Sequence, residues 1–256
     1  MFRLPRSLVA LSIGALLSMP ILAPAAEHDA PHWSYSGKTG PATWGKLEED
    51  FGTCGLGTAQ SPIDIHDSAV KKADLPTIQF DYKASPLKII DNGHTIQVNY
   101  APGSSITVGG KQYELVQFHF HKPSEEKING KNFAMVAHLV HKDADGKLAV
   151  VAVLLSTGHD NPFIKTLWAN LPNDKEMEHA VDAVTINVAD LLPKDRAYYT
   201  FTGSLTTPPC SEGVTWFVLK HPASISKSEV ARFGKSYPMN ARPVQPVNGR
   251  EITASK

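Results

Sequence analysis

The chain has 256 residues, enough for one large domain or two small ones. Its composition is that of a globular protein, with 42% hydrophobic and 20% charged residues and no disorder-prone tract. Twenty-five basic residues balance twenty-five acidic ones, so no electrostatic signature of nucleic acid or anionic membrane is visible. We therefore expect a small partner molecule with little or no charge, and neither nucleic acid nor membrane.

The first 25 residues have the pattern of a secretory signal peptide. Arg3 and Arg6 precede an apolar run over residues 8–22, and small residues follow at 23–25 with the spacing that signal peptidase requires. A membrane anchor is the alternative, but the run is shorter than the ~20 apolar residues of a spanning helix. We predict cleavage of residues 1–25 and a periplasmic or secreted mature protein formed by residues 26–256.

Cys54 and Cys210 are the two cysteines of the chain, and both lie in the predicted mature part. In an oxidising compartment such a pair is more often bridged than free, so we predict a disulfide. Two unpaired thiols are the alternative.

Short β-like runs separated by turn signals follow a lead-in (residues 26–62) that is rich in Gly and Pro. Strands are predicted at 78–82, 87–90, 95–99, on the segment ending at residue 121, and at 133–141 and 148–155. Helices are predicted at 162–169 and at 226–233, and prolines mark the second half as loop-rich. The predicted fold class is mostly β with short helices (α+β), as a single domain around a large twisted, mainly antiparallel sheet.

Two histidines stand two residues apart in an aromatic run, where a strand would place His119 and His121 on one face. The 133–141 strand should pair antiparallel with this segment and bring His138 opposite them. Three converging imidazoles without a fourth protein ligand are typical of a catalytic zinc, whereas a structural zinc usually has four ligands. Ordinary sheet histidines are the alternative. His141 is out of phase with His138 and should face away.

Several motifs together resemble the α-class carbonic anhydrases, specifically their secreted bacterial type. The resemblance covers nearly the whole mature chain. The motifs are Trp33-x-Tyr35, QSPIDI at 60–65, NGH at 92–94, QFHFH at 117–121, SE at 124–125, AHLVH at 137–141, GSLTTPP at 203–209 and YPMNARP at 237–243.

The resemblance implies a Zn²⁺ enzyme that reversibly hydrates carbon dioxide to bicarbonate and a proton, by zinc-hydroxide attack with a histidine proton shuttle. In this reading His119, His121 and His138 are the metal ligands, Thr206 and Glu125 orient the hydroxide, and His94 is the shuttle. Gln117 and the Asn240 carbonyl would hold two of the ligands, and Thr207 would contact bicarbonate. An apolar wall would hold carbon dioxide, although ordinary core packing is the alternative for its members: Val140, Val150, Leu205, Val214 and Trp216.

One position departs from the family pattern. The partner of His138 is normally a glutamate two residues before it, where this chain has Val136. Losing such an outer partner typically costs ~10–100-fold in metal affinity or activity. We therefore expect weaker zinc retention, or a water or a displaced side chain in place of the carboxylate.

Further expectations follow from the resemblance. Carbon dioxide and bicarbonate would be the ligands, sulfonamides and small anions the inhibitors, and a homodimer is an open alternative to a monomer. Promiscuous ester hydrolysis at the same site is a weaker enzymatic alternative. From another function class, the chain could be a catalytically weak or inactive carbonic-anhydrase-like binding protein. Only Val136 favours this inactive alternative. The three ligand histidines, Thr206 and Glu125 are all retained and favour an enzyme.

Overall fold

The structure is a computed structural model and describes Met1 and residues 32–256. Apart from Met1, the predicted signal peptide lies outside the described residues, so its cleavage stays a prediction. Among the residues described, none of the helices has the length and apolar character that a membrane span requires.

Strands make up most of the regular structure. In chain order they are β1 (Asp64–Ile65), β2 (Lys71–Ala73), β3 (Gln79–Asp81), β4 (Ser85–Asp91), β5 (Ile96–Asn99), β6 (Ser105–Val108), β7 (Lys111–His121), β8 (Lys127–Ile128), β9 (Lys131–Asn132), β10 (Met135–Lys142), β11 (Leu148–Thr157), β12 (His179–Ile186), β13 (Tyr198–Ser204), β14 (Glu212–Leu219), β15 (Ala223–Ile225) and β16 (Thr253–Ser255).

Helices are few and short. The α-helices of the described chain are α1 (Thr53–Leu56), α2 (Pro162–Ala169) and α3 (Lys227–Ser236), and its 3-10 helices are Gly37–Thr39, Trp44–Lys46, Glu49–Phe51 and Val188–Leu191. The predicted start signals are both used. Asn161 accepts the backbone N–H groups of Phe163 and Ile164, and Ser226 with Glu229 forms a capping box.

Thirteen strands of the described chain form one mixed sheet. The order along its main path is β12-β4-β5-β7-β10-β11-β14-β13-β16-β2, with β3, β6 and β15 paired beside it. Most pairs are antiparallel, but β11 runs parallel to β14 and β15, and β16 runs parallel to β2. The prediction of a single, mostly β domain around a large, mainly antiparallel sheet is confirmed.

The second half of the chain is less loop-rich than predicted. β12, β13 and β14 all lie between residues 179 and 219, and each belongs to the main sheet. The prolines in this region stand between strands, at Pro193 and Pro208-Pro209, and leave the strands themselves free of prolines. Because proline cannot donate to a sheet ladder, its place at strand ends is the expected one.

The pairing of β7 with β10 was predicted and is present, with His138 directly opposite His119. The two faces of this pair bury different sets of residues. Phe118 and Phe120 pack into the main core on one face, whereas Val136 and Val140 pack into a second apolar cluster on the other. We call the face that carries Val136 and the three histidines the site face.

A bulge in β7 sets which residues reach the site face. Gln117 is opposite Val140 and Leu115 is opposite His141, so Val116 is the extra residue, and it is 41% exposed. Leu115 packs into the main core, whereas Gln117, two residues later, contacts a histidine of the site face. Without the bulge these two side chains would share a face.

The described part of the lead-in, residues 32–62, packs onto the body of the domain through a disulfide. Cys54 of α1 is joined to Cys210, with their Cα atoms 5.0 Å apart, as predicted. The buried Trp44 packs against this bridge together with Trp33 and other aromatic residues of the lead-in.

Candidate metal centre

β7 and β10 bring three imidazoles to one place on the site face. One ring nitrogen of each of His119, His121 and His138 lies within 4.8 Å of the other two. His121 and His138 are buried and His119 is partly exposed. Strand alternation explains the arrangement, since His119 and His121 leave β7 on the same side and His138 faces them from the adjacent strand.

Each of these histidines donates one ring N–H to an acceptor of the protein. The bonds are His119 Nδ1 to Gln117 Oε1 (2.8 Å), His121 Nδ1 to the Asn240 carbonyl (2.8 Å) and His138 Nε2 to Glu126 Oε1 (2.9 Å). The opposite nitrogens of the two buried histidines, His121 Nε2 and His138 Nδ1, have no hydrogen-bond partner among the described residues. Buried nitrogens without partners are costly unless they coordinate an ion. The donor set therefore fits a zinc ion with three histidine ligands and an open fourth position.

Glu126 is a site residue that the sequence prediction missed. Where Val136 replaces the usual glutamate, weaker zinc retention, a water or a displaced side chain is expected, and the structure shows the carboxylate of Glu126 beside His138. The signal in the sequence was the pair Glu125-Glu126, in which a second carboxylate directly follows the one assigned by resemblance.

Burial favours the neutral form of two of the imidazoles. It lowers the pKa of His119 to about 3 and that of His121 well below its ordinary value, and repulsion from His138 adds to both shifts. Burial also acts to lower the pKa of His138, but the carboxylates of Glu126 and Glu125 together outweigh it and the pKa is raised. Neutral imidazole is the form that binds metal, so His119 and His121 need no proton loss at neutral pH.

Glu125 and Thr206, the predicted orienting pair, lie together beside the histidines. Glu125 is buried, and its Oε1 accepts the backbone N–H of Arg242 at 2.7 Å and lies 3.5 Å from His121 Nδ1. Burial raises the pKa of Glu125 to about 7, while His138 and the hydroxyl of Thr206 act to lower it. Glu125 Oε2 has no hydrogen bond of standard geometry within the described chain.

A buried network holds the loop that carries Thr206 and Thr207. The N–H of Cys210 donates to the Thr207 carbonyl at 2.8 Å. The guanidinium of Arg242, another residue that the sequence prediction did not assign, is buried and bonds three groups of the lead-in: Gln60 Oε1, the Ser61 carbonyl and the Cys54 carbonyl. The disulfide therefore joins the lead-in to this loop, and Arg242 ties the same part of the lead-in to the C-terminal region.

The residues of the predicted apolar wall pack in one cluster next to the histidines. Its members belong to one apolar cluster, in which Leu205 is partly buried and the others are buried: Val140, Val150, Val214 and Trp216. The ring of Trp216 meets that of His138 edge-on, with centroids 5.0 Å apart. The cluster therefore adjoins the candidate metal centre.

His94, the predicted shuttle, follows a tight turn in which Asn92 Oδ1 accepts its backbone N–H at 3.0 Å. Its ring stacks on Trp33 with centroids 3.5 Å apart and an interplanar angle of 5°, and it also stacks on His32 at 4.6 Å. Burial lowers the pKa of His94 to about 4, and the charges of His32 and Lys175 add to the effect.

Comparison with known proteins identifies the family. The model of the eukaryotic-type carbonic anhydrase family matches residues 39–256. A carbonic anhydrase of Pectobacterium carotovorum is 43% identical over 94% of this chain and 98% of its own, and one of Neisseria gonorrhoeae is 42% identical over 98% of each chain. The structure of the alpha-carbonic anhydrase of Thermovibrio ammonificans with the inhibitor sulfanilamide has a TM-score of 0.84 and 40% identity, and covers 87% of this chain and 98% of that one. The chain therefore belongs to the eukaryotic-type carbonic anhydrase family, as an enzyme of that family.

Proposed function

We propose that this chain catalyses the reversible hydration of carbon dioxide with a zinc ion held by His119, His121 and His138. The observation that supports this most directly is the convergence of three ring nitrogens within 4.8 Å, two of them buried and without a hydrogen-bond partner in the described part of the chain. When bound, zinc supplies Lewis acidity that lowers the pKa of water to about 7, a value established for carbonic anhydrase itself, and so makes a nucleophile available at neutral pH.

Glu125 would orient the hydroxyl of Thr206. Its Oε1 is occupied by the backbone N–H of Arg242, which leaves Oε2 free to accept. In its ionised form the Glu125 carboxylate can only accept hydrogen bonds, so the Thr206 hydroxyl then donates to it and presents its own lone pairs to the ligand. Such a hydroxyl accepts a hydrogen bond only from a protonated ligand, which selects bicarbonate over anions that carry no proton. Thr207, the next residue, would contact the bicarbonate.

The apolar wall would bind carbon dioxide before it reacts. Val140 is 9% exposed and Leu205 is partly buried, and both belong to the apolar cluster whose Trp216 ring meets that of His138. Carbon dioxide is uncharged and forms weak hydrogen bonds, so it binds best where little polar surface must be dehydrated. Product bicarbonate is charged and gains little from this surface.

His94 would carry the proton to solvent. A histidine with its ordinary pKa takes up and releases protons near neutral pH, whereas the pKa of the stacked His94 is lowered to about 4 and should slow this transfer. We expect His94→Ala to slow hydration in weak buffer and to be rescued by added imidazole. Undiminished turnover of this variant in weak buffer would contradict the assignment.

Stopped-flow measurement of carbon dioxide hydration, with metal analysis of the same sample, tests the proposed function. His119→Ala should lose both zinc and turnover, whereas His179→Ala, which removes an exposed histidine of β12, should keep both. Sulfanilamide should inhibit the parent, as it does the Thermovibrio ammonificans enzyme. A zinc-loaded parent without turnover would favour the inactive binding protein instead.

We also propose that the mature protein is exported to the periplasm or secreted. The disulfide between Cys54 and Cys210 supports an oxidising compartment. Mass spectrometry of the protein produced with its full N-terminus should show cleavage after residue 25, and an intact N-terminus would contradict export by this route.

A further inference from the structure

A second buried carboxylate lies directly against one of the candidate ligands. Glu126 Oε1 is 2.9 Å from Nε2 of His138, and both side chains are about 1% exposed. The strand position two residues before the histidine holds Val136, which is fully buried in the apolar cluster of the site face. The carboxylate that meets His138 therefore comes from the segment after β7 and not from β10.

The backbone on both sides of Glu126 is held in place. Ser124 Oγ donates to the Glu126 carbonyl at 2.7 Å and accepts the N–H of Phe133 at 2.8 Å. Lys127, the next residue, begins β8, which pairs parallel with β1. A side chain whose backbone is fixed at both ends is pre-organised for its partner.

The burial of Glu126 is explained by its contact with His138. A carboxylate removed from water is costly unless it is paired and hydrogen-bonded. The side chain of Glu126 hydrogen-bonds His138 through Oε1, while its Oε2 has no partner in the part of the chain that the structure describes. A role in backbone support alone would not require a carboxylate at this position.

We infer that Glu126 is the positioning residue for His138, in place of a carboxylate on β10. The inference rests on the proposed zinc site. An acceptor at Nε2 keeps the proton on that nitrogen and leaves the lone pair of Nδ1 for the metal. The carboxylate also makes the imidazole a stronger donor than a neutral acceptor does. Val136 therefore does not weaken zinc retention, because the function of the missing glutamate is supplied by Glu126.

Zinc affinity, measured on the full mature chain by competition with a chelator, tests the inference. Glu126→Ala should lower the affinity by ~10–100-fold, and adding Val136→Glu to that variant should restore most of it. Glu229→Gln is the matched control, since it changes a buried glutamate that caps α3, far from the histidines in the chain. It should lower thermal stability and leave zinc affinity unchanged.

Nitrogen-15 NMR of the histidine rings gives, for the parent, a readout that does not depend on the folding of a variant. In the zinc-loaded parent, His138 should carry its proton on Nε2, and Glu126→Gln should shift this signal while those of His119 and His121 stay in place. Parent-like zinc affinity of Glu126→Ala, no recovery with Val136→Glu, or a proton on Nδ1 of His138 would each overturn the inference. A parent that binds no zinc would refute the proposed function instead, so the two failures are distinguishable.

Discussion

Trp33 should control whether His94 can carry a proton at neutral pH. In the stack the pKa of His94 is lowered to about 4, so at pH 7 only about one ring in a thousand is protonated, compared with about one in four at the ordinary value. Proton transfer to His94 from a donor with a pKa near 7 is then unfavourable by about three pKa units. Burial is the leading cause, because it withdraws the charged form from water, and the Trp33 ring covers one face of the imidazole.

Trp33→Ala exposes one face of His94 and should raise its pKa toward 6.5. The transfer equilibrium would then improve by up to about 300-fold, which is the antilogarithm of a shift of about 2.5 pH units. The assay is an NMR titration of His94 in the zinc-loaded protein, followed by hydration measurements in weak buffer. Trp33→Phe is the matched control, since it keeps an aromatic face and should keep the low pKa. A parent His94 that already titrates near 6.5, or a Trp33→Ala variant whose His94 keeps a pKa near 4, would refute this prediction.

Two further predictions concern stability. The disulfide spans a sequence separation of 156, so Cys54→Ala/Cys210→Ala should lower the free energy of unfolding by about 5 kcal/mol in the chain-entropy description. Urea unfolding with and without reductant checks this, and a loss below about 1 kcal/mol would contradict it. Burial lowers the pKa of His141 to about 3, and the Tyr82 hydroxyl lies 2.8 Å from its Nε2. The unfolded chain therefore binds more protons than the folded one below pH ~6.5, and this histidine should reduce stability by up to about 1.4 kcal/mol per pH unit as the pH falls toward 3. His141→Phe should flatten that slope in urea unfolding of the apoprotein, and an unchanged slope would count against the assignment.

The ligand set could be predicted from the sequence because its geometry is local. His119 and His121 share a face through strand alternation alone, and His138 joins them through one antiparallel pairing across a short connection. The bulge at Val116 follows from a signal that simple alternation overlooks. Core residues stand at 113 and 115 and then at 118 and 120, which is a change of phase that an extra residue must absorb.

The stacked state of His94 was beyond sequence reasoning for a different reason. Its pKa depends on contact with Trp33, a residue of the lead-in, and the path of an irregular segment has no periodic pattern from which its contacts follow. The same holds for Arg242, whose buried bonds join the C-terminal region to the lead-in near the disulfide. The sequence motifs identified these segments as parts of the family pattern, but they did not specify which side chains meet.

Glu126 shows why the effect of Val136 cannot be judged from the neighbouring positions of β10 alone. Strand periodicity identifies position 136 as the neighbour of His138 on the site face, and a valine there predicts a missing hydrogen bond. The reach of Glu126 is set instead by β8, whose partner β1 lies more than 60 residues earlier in the chain. A loop that is fixed by such a distant pairing can place a carboxylate beside His138 Nε2 from outside β10. The side chain of Val136 can then extend the apolar cluster of the site face. Valine at this position is therefore compatible with a hydrogen-bonded His138 and adds apolar area to the cluster.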